Sequence, residues 1–433
     1  MKRSIIIVLI LVLLLTILAL PATAAVNDTV WRKFFDAGEE DGIYASATDR
    51  NGNLIIAGED GDFAFVSKYR PGGAHVWTKK FGAVGAYMIV ADLAINRDGF
   101  IYVAGTTDGG DSDSYSEVGF IRKYGPKGGH HWTKKFGPGW SFTNVAGVAV
   151  GPAGSIYVTG STDGDFKGRS EDWGLTSTYL RKYNPAGKVY WTRQLYVPVS
   201  ERGDYENETY AVDVAVGPGG GVYVLAVETD WGYYEEDKRL VFASRARGTI
   251  RQQKQAVKLN GYFDPEMDDE YWEGEESSVV LKKFSPRGGV YWTRGFGKKR
   301  GLMSTGLAVD RTGSPVIAGD TRKGSFATKF SHKGRRQWTR FWSGLDAWDV
   351  EVDRAGNIYL VGVEGMLQSS WGAGGAVYPE AYTRKLSPSG EKQWTRTFLN
   401  GIAFGASTDL AGNLYVFGHA LTKEKDFLVK FKN

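Results

Sequence analysis

The chain of 433 residues contains no cysteine and only five histidines. Without cysteine there is no disulfide framework, no thiol nucleophile and no cysteine for a lipoprotein anchor. The histidines, at positions 75, 130, 131, 332 and 419, are not spaced to hold zinc. An excess of one charge is also missing, since 53 Lys and Arg face 49 Asp and Glu for a net +4. That balance gives no basis for nucleic-acid binding, which draws on concentrated positive charge. Long apolar runs are absent but for residues 5–20, which follow Lys2 and Arg3 and precede Pro21, Ala22, Thr23 and Ala24. This is the layout of a secretory signal peptide over residues 1–24, with an uncleaved N-terminal anchor as the alternative. Loss of Lys2 and Arg3 would leave 51 cations against 49 acids, or +2. Residues 25–433 then read as one domain, large enough to bury a core without disulfides.

What the chain has in quantity is repetition. A Trp-Thr-Lys/Arg phrase stands at Trp77, Trp132, Trp191, Trp292, Trp338 and Trp394, with a relaxed copy, WRKFF, at Trp31. Two more phrases recur between these copies in constant order. One is a strand, a tight turn and a strand, as in DLAINRDGFIYVAG from Asp92 and DVEVDRAGNIYLVG from Asp349; the other is a strand ending in Lys and an apolar residue, as in FIRKY from Phe120. Each occurs seven times. Self-similarity of this kind means stacked supersecondary units. The Trp-to-Trp spacings of 46, 55, 59, 101, 46 and 56 suit a unit of four short strands, a to d, with connections of variable length.

Four-stranded antiparallel sheets repeated around an axis form a β-propeller. The expectation is therefore an all-β, seven-bladed propeller. The strand at residues 30–35 has no a, b or c before it, and the last unit stops after strand c, so the first strand is expected to pair with the last unit and shut the ring. The seven repeated tryptophans are expected to fill the space between neighbouring blades. The alternation of Thr and Lys/Arg with apolar positions in strand d reads as a solvated outer edge that discourages strand pairing. The insertion at 228–277 offers an alternative, an eighth partial blade.

The phrase VDRAGNIYLVG, followed by a Lys-aromatic strand and WTRTF, resembles the SBBP repeat of seven-bladed β-propeller proteins, which are found in secreted or surface proteins of bacteria and archaea. The resemblance covers the whole chain after the leader. It implies a fold and a location outside the cytoplasm, and it carries no catalytic residues. Pro315 departs from the usual Ile-Tyr.

The remaining tryptophans sit outside the repeated phrase. Trp173, Trp231, Trp272 and Trp371 fall in b–c connections, while Trp140, Trp342 and Trp348 fall in or near d–a connections. Both kinds of connection leave from one end of the strands, and function concentrates on variable loops held by a rigid scaffold. Trp140, Trp173, Trp231, Trp272 and Trp371 are thus the candidate ligand-binding residues, with a polysaccharide or a cell-envelope protein as partner. Self-packing of long loops is the competing account. The run DGGDSDSYSE offers Asp108, Asp111, Asp113 and Glu117 as ligands for calcium, in competition with a turn held by its own Asp side chains. Asn27 and Asn207 begin Asn-x-Thr sequons. The whole reads as a monomeric, noncatalytic binding module, secreted or on the outer face of the membrane. A carboxylate-dependent glycoside hydrolase or lyase and a structural surface-layer component are the alternatives.

Overall fold

The computed structural model describes residues 29–432 except 37–41, 86–87, 109–115, 140, 169–175, 196–207, 231–275, 301, 322–323 and 366–378. The leader, Asn27, Asn207 and most of the 228–277 insertion lie outside the described residues. Among those described there is no helix, and every element is a strand.

Five sheets have four antiparallel strands each. They are β2 to β5 (Gly42–Thr48, Leu54–Asp60, Phe63–Tyr69, His75–Gly82), β6 to β9 (Met88–Ile95, Ile101–Asp108, Glu117–Tyr124, His130–Phe136) and β10 to β13 (Gly147–Val150, Ile156–Thr162, Ser177–Tyr183, Val189–Leu195). Next come β14 to β17 (Glu208–Val216, Val222–Asp230, Glu276–Phe284, Val290–Arg300) and β18 to β21 (Met303–Val309, Pro315–Thr321, Gly324–Phe330, Arg336–Trp342). The sixth sheet joins β22 to β27 (Leu345–Val352, Ile358–Glu364, Glu380–Leu386, Lys392–Thr408, Leu414–Ala420, Lys425–Phe431) to β1 (Thr29–Asp36). In it β25 changes partner, pairing with β24 up to Asn400 and with β26 from Gly401. The expected closure is present, because β1 pairs antiparallel with β27 from Thr29↔Phe431 to Asp36↔Lys425.

The innermost strands pack on one another in a cycle, β2 on β6, then β10, β14, β18, β22, β25 and back to β2. The core is accordingly divided into slabs between sheets. Val66, Phe81, Val90, Ile101 and Phe120 fill one slab, and Ile43, Tyr69, Phe404, Phe417 and Leu428 fill the slab at the closure. Second strands have neighbours on both faces and are buried almost throughout, as in IYVTGST of β11, so they are apolar without alternation. Fourth strands such as HHWTKKF of β9 are exposed except at their Trp and last Phe. Their Lys residues form the solvated edge that the repeat implies.

The repeated tryptophans pack between neighbouring sheets as expected, and they are half-buried. Four of them are also part of a lock on the next sheet's third turn: Trp338 Nε1 and Lys329 Nζ both donate to the Pro388 carbonyl, at 3.2 and 3.3 Å, and Arg340 Nε reaches the Gly390 carbonyl at 3.1 Å. Gly390 has φ of 82°, and a Cβ there would stand 2.8 Å from the Trp338 ring. The same lock recurs for Trp31 and Lys430 on Pro71, for Trp132 and Lys123 on Pro185, and for Trp292 and Lys283 on His332.

Cations also enter the interior: the third-strand lysines Lys68, Lys123, Lys329, Lys385 and Lys430 are buried. Lys68 and Lys329 are paired at 2.9 and 2.8 Å with Asp49 and Asp310 in the a–b turns. That pairing offsets the cost of placing their charge in the interior.

Candidate functional site

The seven phrases that open each inner strand begin, in order, with Ala45, Asp92, Gly147, Asp213, Gly306, Asp349 and Gly405. Asp and Gly alternate around the ring until the alternation lapses at Ala45. The structure supplies the reason. Asp92 accepts from its own neighbour Leu93 N at 2.7 Å and from Val148 N of the next sheet at 2.8 Å. Asp213 likewise accepts from Val214 N at 2.6 Å and Leu307 N at 3.2 Å, and Asp349 from Val350 N at 2.7 Å and Ala406 N at 3.0 Å. Glycine stands on the preceding sheet because a Cβ on Gly147 or Gly306 would lie within 2.8 or 2.9 Å of the carboxylate it faces.

Just before six of these seven positions, all but Gly147, the inner strand carries a bulge, at Tyr44, Ala91, Val212, Thr305, Trp348 and Phe404. A bulge adds one residue and re-aims its side chain. All six line a central cavity of about 450 Å³, together with the three aspartates, Glu351, Ser46 and Ser407. The cavity is lopsided. Tyr44, Trp348 and Phe404 form an aromatic side, with Trp348 and Phe404 rings 5.2 Å apart, while the opposite side has Ala91, Val212 and Thr305. Among the described residues no Lys or Arg lines it.

Burial raises the carboxyl pKa values here. Asp92 and Asp349 are pushed up to about 7, against the pull of the backbone N–H groups they accept from. Asp213 is raised well above the carboxylate range by burial and by the charges of Asp92 and Asp349. Glu351, which accepts from Thr408 N and Oγ1, reaches about 8 through burial first and Asp349 second. Solvent in the cavity still touches these side chains, which are only half-buried by surface. With both oxygens of each aspartate held by backbone, the trio acts as a set of clamps between sheets.

A second group lies at the opposite, loop-bearing end of the strands, between β19 and β22. Asp320 accepts from Ala347 N at 2.8 Å and is raised well above the usual range by burial and by Asp346; Asp346 itself is raised by burial to about 6. Below them the hydroxyls of Tyr382 and Ser325 are fully buried beside one another.

All five candidate tryptophans, Trp140, Trp173, Trp231, Trp272 and Trp371, lie outside the described residues, as do Asp111 and Asp113. The other two calcium candidates, Asp108 and Glu117, face each other across β7 and β8. Among the described residues no group of three acids or histidines could hold a metal. Of the other non-repeat tryptophans, Trp348 lines the cavity, and Trp342 carries the Arg384 guanidinium 5.1 Å over its ring. The cavity residues escape a reading that looks for function on loops. Their signal, the Asp/Gly alternation at one position of a repeated phrase, stands in the sequence.

The cyclic packing and the repeat define a β-propeller. Residues 76–111 of the chain match the SBBP β-propeller repeat. Its fold is similar to that of a catalytically inactive virginiamycin B lyase from Staphylococcus aureus solved with quinupristin, at TM-score 0.50 and 10% identity over 93% of this chain and 99% of that one. It is also similar to U3-55K, at TM-score 0.50 and 10% identity over 92% and 98% of the two chains. The WD40 β-propeller domain of Doa1 aligns at TM-score 0.49 and 9% identity over 93% and 96%. Such identities show likeness of fold alone. No protein of curated function matches the sequence.

Proposed function

We propose that the protein is a seven-bladed propeller acting as a noncatalytic binding module, secreted or held on the outer face of the membrane. Seven blades follow if the sixth sheet is counted as two that share β25, with β1 completing the last. The ligand, a polysaccharide or an envelope protein, would meet the end of the disc where the b–c and d–a connections leave. One observation carries this reading: the two ends of the strands are built differently. At one end every a–b and c–d connection is a tight turn closed by the same backbone bonds, as in Gly52 N to Asp49 O and Gly390 N to Ser387 O. All the variation in loop length sits at the other end, where binding residues are tolerated on a fixed scaffold.

The clamp geometry of Asp92, Asp213 and Asp349 supports binding over catalysis, since their oxygens are committed to backbone N–H groups. A carboxylate enzyme remains the second reading because Asp320 and Asp346 sit together with raised pKa values on the loop end. A glycan and peptide array on the chain from Ala25, run beside Trp173→Ala, Trp371→Ala and Asp346→Asn, tests both. Binding lost in the tryptophan variants at unchanged melting temperature is expected. Array glycans that are cleaved by the parent chain but left intact by Asp346→Asn would favour the enzyme, and no binding at all would remove the reading.

A further inference from the structure

The net charge of +4 hides a separation by face. The a–b turns expose Arg50, Arg97, Arg311 and Arg354 around the axis. Farther out, the c–d turns expose Arg70, Lys127, Lys188, Arg287, Lys333 and Arg335. Against these ten cations the same turns expose only Asp98 and Glu391. Their other acids, Asp49, Asp310, Asp353 and Asp409, are buried within the turns. The opposite end is different: its described b–c connections carry Asp60, Asp62, Asp108, Glu117, Asp163, Asp165 and Glu424 against Lys167 and Lys423.

Chain direction adds a second observation. β1 is an outermost strand whose first residue, Thr29, pairs with Phe431, the last residue of β27. The third strand of a unit ends at the c–d turn, so the chain enters the disc on the basic face. Only residues 21–28 separate the apolar run at 5–20 from Thr29. Even fully extended, eight residues reach no more than roughly 30 Å.

We propose that the face bearing the a–b and c–d turns is a docking surface for an anionic lipid bilayer, on which the disc lies with its variable loops pointing away. Singly spaced cations spread over a broad face suit a sheet of headgroup charges, and juxtamembrane cations are drawn to such a surface within a Debye length of about 8 Å. A retained apolar run would enter the bilayer beside that face; after cleavage, the charge alone would hold the disc. The proposal is independent of what the loop face binds.

The absence of cysteine makes the test direct. Ala186→Cys in a c–d turn and Lys167→Cys in a b–c connection place a fluorophore at the two ends of the same unit in the full chain. Each labelled protein is mixed with vesicles of phosphatidylcholine, alone or with phosphatidylglycerol, that carry a headgroup quencher. With phosphatidylglycerol, quenching at position 186 should exceed that at 167 by at least about twofold and fall as salt is raised. Charge reversal by Arg311→Glu with Arg354→Glu, or by Arg50→Glu with Arg97→Glu across the axis, should remove that preference at an unchanged melting temperature. Using two separate pairs keeps the result readable if one pair disturbs folding. Equal quenching at both positions, indifference to lipid charge, or binding to soluble heparin but not to vesicles would overturn the proposal.

Discussion

Lys329 and Asp310 show how single residues hold this molecule. Their 2.8 Å pair is buried, and Asp310, which burial alone would raise, is held below the usual carboxylate range by Lys329 and Thr312. Lys329→Met leaves a stranded carboxylate and should cost about 3 kcal/mol or more in urea unfolding, whereas Lys329→Met with Asp310→Asn should recover most of it. The lock between Trp338 and Gly390 makes a second prediction. Trp338 is half-buried, so Trp338→Ala should cost about 2 kcal/mol rather than the larger loss of a core Trp. Gly390→Ala meets both a φ of 82° and a ring at 2.8 Å, so it should destabilise on its own. Only the backbone part of that penalty should persist in the Trp338→Ala background, and a double-mutant cycle reads the difference. From sequence, Trp338 and Gly390 are visibly repeated, yet nothing in either residue says that they meet across two units. The lysine of each third strand is equally plain in the sequence and equally mute about burial, because its partner lies in a different turn.

At the scale of the strand, legibility follows periodicity and burial. The second strands declare themselves by unbroken apolar runs, because sheets cover both their faces, and the fourth by Trp followed by alternating cations. The inner strands are harder. Their bulges break the two-residue period at Ala91, Trp348 and the equivalent positions, so the residues that face the axis fall out of step with simple alternation. That is why Trp348 reads as a loop residue in the sequence and as a wall of the central cavity in the structure. The aspartate clamps belong to this scale too. Asp213→Asn keeps the shape but gives up one acceptor, so Val214 N or Leu307 N loses its partner; a cost of about 1–3 kcal/mol in chemical denaturation is expected.

For the whole molecule, the carboxylates set a pH dependence whose sign can be worked out. Asp92, Asp349, Asp346 and Glu351 have folded-state pKa values of about 7, 7, 6 and 8, and Asp213 and Asp320 are also raised, all chiefly by burial. The folded state thus holds protons that the unfolded chain releases near pH 4. Their stabilising contribution is full below about pH 4 and is lost as pH rises towards about 8. Asp49 and Asp310 work oppositely, because Lys68 and Lys329 hold them low against burial, and their contribution is lost in acid. Screening by cavity solvent damps the size of the effect without reversing it. Calorimetry should therefore find a higher melting temperature near pH 5 than near pH 8, and a temperature that climbs steadily between them would contradict the burial of these groups.

Units that share one repeated pattern are locked in sequence into a ring that β1 shuts. Phe35 and Trp31 of β1 pack into the slab shared by the first and last units, and Lys430 and Trp31 together reach the Pro71 carbonyl. The most direct measurement is thermal unfolding of the full chain beside one lacking residues 30–35. Removing the strand uncovers β27 and takes away half of one lock, so a single cooperative transition should give way to one at a clearly lower temperature. Superimposable curves would mean that the ring does not depend on β1, and the account of its closure would fail.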